Sequence, residues 1–251
     1  MAQAQSLSRN RLLAALPVED QQRLLPKAEV LSLPLRQILH QPGESISHAY
    51  FPGGGFLSLL QSLQDGTMVE VATVGREGVA GIDVMTAPDG RALAATMVQG
   101  ETDTCYRIAT ADLAPELKRG GALATLVTRY ARAATAMAMQ STACNAVHLV
   151  EHRFARWLLM AHDRMESDTF LLTQEFAAMM LGASRPTVTL VAGVLQRSGL
   201  IDYHRGKITI LDRPRLECAC CECYAVVTKI IASVFERDAP AEVGDHRQAR
   251  S

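Results

Sequence analysis

The segment Thr173–Ser198, TQEFAAMMLGASRPTVTLVAGVLQRS, constrains the fold more than any other. Gln174 to Leu181 carries Phe176, Ala177, Met180 and Leu181 at helical spacing. Gly182 follows, where a helix end favours a residue that tolerates positive φ. Ser184 stands at an N-cap position, and Pro186 lies in the first turn of the next helix, where its missing N–H costs nothing. That second helix places Val188, Val191 and Leu195 on one face. Ala178 is small enough to let the two helices cross closely.

The spacing predicts a helix-turn-helix whose second helix is free to enter a DNA major groove. Arg185, Thr187, Thr189, Gln196 and Arg197 fall on its outward face. The following LIDYHRGKITIL reads as two short strands about a turn at Arg205-Gly206, a wing carrying His204, Arg205 and Lys207. Thr173, Gln174 and Ser184, at the two helix starts, complete the expected DNA-contact set. The bland alternative is a helical hairpin packed in a core, because bare helix-turn-helix matches are common. The basic wing tilts the reading toward DNA.

Charge distribution agrees, although the net charge of −1 does not by itself point to nucleic acid. Between Ser184 and Glu217 stand six basic residues (Arg185, Arg197, Arg205, Lys207, Arg213, Arg215) against the acidic Asp202, Asp212 and Glu217. So modest an excess suits a site-specific reader that needs two copies for useful affinity. No apolar run approaches the roughly 20 residues of a membrane span. The opening MAQAQSLSRNRLLAALP lacks the apolar core of a signal peptide. A cytoplasmic location without membrane partners is expected.

A chain of 251 residues can hold two modest domains, and the pattern predicts an α+β architecture. Residues 1–29 read as a helical segment broken at Pro17. Residues 30–110 lose helical periodicity. Turn signals QPGES, FPGGG, QDGT, VGREGVAG, APDGR and VQGE recur at roughly ten-residue spacing, as in a β-roll or sandwich. The strands expected are 35–40, 47–51, 56–63, 68–74, 93–98 and 102–108. Ala111 to Met139, within a segment 111–145, reads as one long apolar helix suited to pairing with a second copy, its alanines allowing close approach. Residues 146–217 form the expected DNA-binding domain, opened by a helix over 147–165. Residues 218–251 read as a helix from Cys218 to Phe235 and a polar tail.

A β-roll, a long helix and a C-terminal winged helix together resemble the Crp/Fnr superfamily of transcription regulators. The resemblance is carried by PGE at 42–44, YFPGGGFLSLL at 50–60, DGTMVEVATVGREGVAG at 65–81, TQEFAAMMLGASRPTV at 173–188 and GLIDYHRGKITILDRPRLE at 199–217. It implies a homodimer that binds a palindromic double-stranded operator and recruits or blocks RNA polymerase. It also implies an effector pocket about Gly78, Val79, Gly81 and Arg91.

Two departures bear on those implications. Cyclic-nucleotide-binding members carry a Glu for the ribose and an Arg-Ser pair for the cyclic phosphate. Here Val79-Ala80 occupy the turn and Arg91 precedes Ala92. A phosphate needs charge together with oriented donors, so no cyclic nucleotide is expected. In the reading helix, Pro186 and Leu190 stand where relatives commonly show Glu and a second Arg.

Six cysteines are present: Cys105, Cys144, Cys218, Cys220, Cys221 and Cys223. None lies near the N-terminus, where iron–sulfur members hold their cluster, so no such cofactor is expected. Cys218, Cys220, Cys221 and Cys223 could hold a thiophilic metal, but four thiolates on one helix cannot easily surround a tetrahedral ion. Small apolar helix residues are the favoured reading of these four, no metal is expected, and His148 and His152 read as surface residues. A metal- or thiol-responsive binding protein using these cysteines is the alternative function. No nucleophile–base–acid constellation or phosphate-binding loop is visible, and no enzyme is expected.

Overall fold

The computed structural model describes residues 9–83 and 90–236. The expected polar tail beyond Glu236 and part of the APDGR turn lie outside the described residues. The chain opens with α1 (Arg11–Ala14) and α2 (Val18–Leu24), separated at Pro17 as the sequence suggests. Asn10 caps α1 through its side-chain oxygen, and its amide nitrogen donates to Pro52 O and Gly78 O at 2.9 Å each.

The β-roll consists of β1 (Ala28–Leu33), β2 (Ile38–His40), β3 (His48–Pro52), β4 (Phe56–Ser62), β5 (Met68–Val74), β6 (Ala95–Gly100) and β7 (Thr102–Ala109). One antiparallel sheet has the order β1-β7-β3 and the other β2-β6-β4-β5. β1 was not anticipated, and it starts inside the stretch read as helical. Its burial pattern is irregular and a register shift falls between Leu31 and Leu33, so a clean two-residue alternation is absent from its sequence.

The long apolar stretch from Ala111 is two helices rather than one, α3 (Thr110–Lys118) and α4 (Ala122–Val147). Gly120, at φ 70°, ends the first, and Gly121 caps the second. α4 also runs past Met139 to Val147. His148 and Leu149 are extended, with ψ 145° and 147°, and form the joint to α5 (Val150–His162). The helix expected over 147–165 is therefore shorter at both ends.

β8 (Thr169–Leu171), α6 (Gln174–Leu181), α7 (Arg185–Arg197), β9 (Ile201–His204) and β10 (Lys207–Ile210) follow, with β8-β10-β9 as a third antiparallel sheet. The helix expected from Cys218 is replaced by α8 (Arg213–Ala219) and α9 (Cys223–Ser233). The chain bends at Cys220, which is extended at ψ 168°. The bend turns Cys221 and Cys223 inward and lets α9 return onto α4, a burial gain that helical periodicity does not register.

Two cores result. The first joins both sheets to α1, α2, α3, α4 and α9, with Phe51, Tyr106, Ile108, Leu113 and Tyr130 buried. The second packs Phe56, Leu60, Ala95 and Met97 of the roll against α5, α6 and α7. The helix-turn-helix unit is thus docked on β4 and β6 of the roll. Among the described residues, no single helix is long and apolar enough to cross a membrane.

Candidate nucleic-acid interface

The two-helix reading of 173–198 holds in detail. Thr173 caps α6, its hydroxyl oxygen accepting from Phe176 N at 3.2 Å. Gly182 is left-handed at φ 55°, and the Ala183 N–H closes the helix end on Ala178 O at 3.0 Å. Ser184 caps α7 by accepting from Thr187 N at 3.3 Å. Val188, Val191 and Leu195 are buried, and Val188 is 0% exposed. The two helices meet at 102°, the crossing that a helix-turn-helix requires.

Packing decides which side chains remain outside. Ser184, Arg185, Thr189, Leu190, Gln196 and Arg197 are exposed on α7. Thr187 is only half-exposed, and its hydroxyl lies 2.8 Å from that of Ser184. Thr189 donates to Gln174 Oε1 at 2.9 Å and to Arg185 O at 3.0 Å, so the starts of the two helices are tied together. In the wing, Arg205 and Gly206 both take positive φ (48° and 76°) in a two-residue hairpin closed by the His204–Lys207 pair. His204, Arg205 and Lys207 are exposed. Among the described residues, Arg185, Arg197, Arg205 and Lys207 make no ion pair. Arg213 does, to Asp163 at 2.6 Å and to Glu217 at 3.0 Å, so its charge is spent inside the domain. Leu190, which stands where relatives commonly show a second Arg, is 66% exposed on the side of α7 away from Val188 and Val191.

The glycine-rich turn 75–81 serves packing. Glu77 and Arg164 form a buried ion pair at 2.5 Å, with side chains 6% and 4% exposed. Glu77 Oε1 also accepts from Gly75 N at 3.1 Å. Burial alone would raise the Glu77 carboxyl, but the Arg164 guanidinium outweighs it and holds it below its usual value. A Cβ on Gly75 would come within 2.4 Å of Arg164 Cδ, and one on Gly78 within 2.2 Å of the Tyr130 hydroxyl. Val79 and Gly81 border a cavity of about 590 Å³ between β5, α4 and α5, also lined by Glu70, Thr96, Arg156 and Trp157. Gly78 and Arg91 lie outside its wall, and Arg91 donates to Gly43 O at 2.6 Å.

The terminal cysteines are divided. Cys218 is exposed and Cys220 half-buried, with its thiol toward Glu217 O at 3.1 Å. Cys221 and Cys223 are buried beside Cys144 of α4, and His148 stands next to them. Burial pushes the Cys144 thiol up to about 12 and raises Cys221 as well, so neither is poised as a reactive thiolate.

Residues 152–219 match the family model of the Crp-like helix-turn-helix domain. A crp/fnr-family transcriptional regulator from Eubacterium rectale has the same fold, with a TM-score of 0.64 and 19% identity over 84% of this chain and 98% of that one. FixK2 from Bradyrhizobium japonicum gives a TM-score of 0.57 at 17% identity, covering 77% and 98%. A CRP-family transcriptional regulator from Thermus thermophilus, TTHB099, gives 0.57 at 19%, covering 75% and 95%. No curated protein matches the sequence. Residues 152–219 thus belong to a Crp-like helix-turn-helix domain, and the chain as a whole has the fold of these regulators, a β-roll and a long helix ahead of that domain.

Proposed function

We propose that the protein binds a palindromic operator as a homodimer, with α7 of each chain in a major groove and each wing on the flanking backbone. The observation that carries this is the exposure of Arg185 and Arg197 on α7 and of Arg205 and Lys207 in the wing, four cations that make no ion pair among the described residues. Arg185 is the base-reading group, suited to guanine O6 and N7. Leu190 and Thr189 offer apolar contact to a thymine methyl. Arg197, Arg205 and Lys207, with the hydroxyls of Thr173, Ser184 and Thr187 and with Gln174 and His204 nearby, address phosphate and fix register.

The dimer is assigned to α4. One of its faces is spent inside the chain, where Leu123, Leu126, Val127, Tyr130 and Met137 are buried. The opposite face carries Thr128, Arg132, Thr135, Met139, Thr142 and Ala146 at three- and four-residue steps, all exposed. Met139 is 68% exposed. Threonines and an alanine about Met139 suit close approach of the same helix from a second copy, with Arg132 toward one end of the stripe. Bound to DNA, such a dimer recruits or blocks RNA polymerase by its position. No cyclic nucleotide enters this reading, since Ala92 supplies no hydroxyl beside Arg91.

Sedimentation of the full chain with a duplex carrying one or two half-sites tests the reading. Two chains on the double site and much weaker binding to the single site are expected. One chain per duplex with equal affinity for both would refute the dimeric reader.

A further inference from the structure

Four metal-ligating side chains converge where the DNA-binding domain joins the rest of the chain. Cys144 lies on the last turns of α4, His148 in the joint to α5, and Cys221 and Cys223 at the bend between α8 and α9. Their ligand atoms all lie within 4.8 Å of one another. Cys144 Sγ and Cys221 Sγ are 3.6 Å apart, and Cys223 Sγ and His148 Nδ1 are also 3.6 Å apart. A tetrahedral zinc with Zn–S bonds of about 2.3 Å separates its sulfur ligands by about 3.8 Å. The cluster thus has the dimensions of a mononuclear site. It is too tight for an iron–sulfur cluster, whose iron and sulfide ions must lie between the cysteines.

The surroundings are those of a ligand set. His148 presents Nδ1 to the sulfurs and Nε2 to the Glu222 carboxylate at 3.3 Å, the outer partner that fixes a coordinating imidazole. Gln140, one turn before Cys144, donates to Cys223 Sγ at 3.0 Å. The guanidiniums of Arg153 and Arg156, both buried, feel the charge of Cys144, and among the described residues neither has a carboxylate within ion-pair distance. Three thiolates and one divalent cation carry a net negative charge that these arginines offset.

We propose that Cys144, His148, Cys221 and Cys223 form a Cys3His site for a zinc ion, which clamps the end of α4 to the α8–α9 bend across the joint between the two domains. Cys218 and Cys220 take no part. The assignment does not depend on the DNA reading.

The test is titration of reduced, metal-free full-length protein with zinc and, in parallel, with cobalt(II). One zinc per chain is expected, with intense thiolate-to-cobalt absorption and the visible bands of tetrahedral cobalt. Cys218→Ser should keep the site and Cys223→Ser should lose it. His148→Asn and Glu222→Gln alter half-buried and exposed side chains outside the apolar core and should weaken zinc at least tenfold, so the test survives a cysteine variant that fails to fold. Substoichiometric zinc in the reduced parent would overturn the assignment. So would an octahedral cobalt spectrum, an iron–sulfur chromophore in anaerobically prepared protein, or unchanged affinity in both His148→Asn and Glu222→Gln.

Discussion

The indole N–H of Trp157 donates to the Glu70 carboxylate at 2.8 Å, bridging strand β5 of the roll and helix α5 of the DNA-binding domain. The Ser58 hydroxyl donates to the other carboxylate oxygen at 2.5 Å. Burial outweighs both hydrogen bonds and raises the Glu70 carboxyl from 4.5 to about 7. A contact between the domains therefore changes charge near neutrality.

The folded chain holds the Glu70 proton more tightly than the unfolded chain does. The stabilisation is complete below about pH 4.5 and is lost as the pH rises through about 7. Glu70→Gln keeps an acceptor for Trp157 and removes the charge. Thermal melts should show the parent losing stability relative to the variant between those pH values. Parallel profiles would contradict the assignment.

The Glu77–Arg164 pair makes a second connection between the domains, now fully buried. Glu77→Ala leaves the Arg164 charge without its partner. A loss of about 3–5 kcal/mol is expected in denaturant unfolding. Replacing both residues by apolar ones of similar size should recover most of it.

Gly182 turns α6 into α7 at φ 55°. A Cβ there meets only Val69 at 3.8 Å, so backbone strain is the whole cost. Gly182→Ala should destabilise by about 1–2 kcal/mol in denaturant unfolding, with little change in the packing of α6.

The turn at Gly182 also shows what the sequence makes legible. Gly182, Ser184 and Pro186 mark helix ends through local backbone chemistry, and α6 and α7 fall where they predict. The six expected strands fall close to their anticipated positions because each is bounded by a glycine turn. β1 escaped because its register shift hides alternation. The break at Gly120-Gly121 was masked by the apolar residues on both sides. The Cys144–His148–Cys221–Cys223 grouping joins residues more than 70 positions apart and depends on the bend at Cys220, which no periodicity announces. Reading along the chain groups the four terminal cysteines, whereas the fold buries Cys221 and Cys223 and leaves Cys218 exposed.

Met139 tests the dimer face. Met139→Glu should shift the protein to monomer in sedimentation and remove the advantage of a two-half-site duplex over a single one. Retention of the dimer would move the interface away from this stripe of α4.

Arg185→Ala should cost about 1–3 kcal/mol on the preferred operator and relax one guanine in each half-site. Lys207→Ala should instead weaken all sequences alike and lower the salt dependence of binding by about one charge.

The most direct measurement is selection from a random-sequence DNA pool with the purified full-length protein, at two salt concentrations, in parallel with Arg185→Ala. The parent should enrich an inverted repeat with half-sites one helical turn apart, and the variant should tolerate other bases at one guanine position in each half. Enrichment of no sequence, or of an identical motif by parent and variant, would contradict the assignment of α7 as the reading helix.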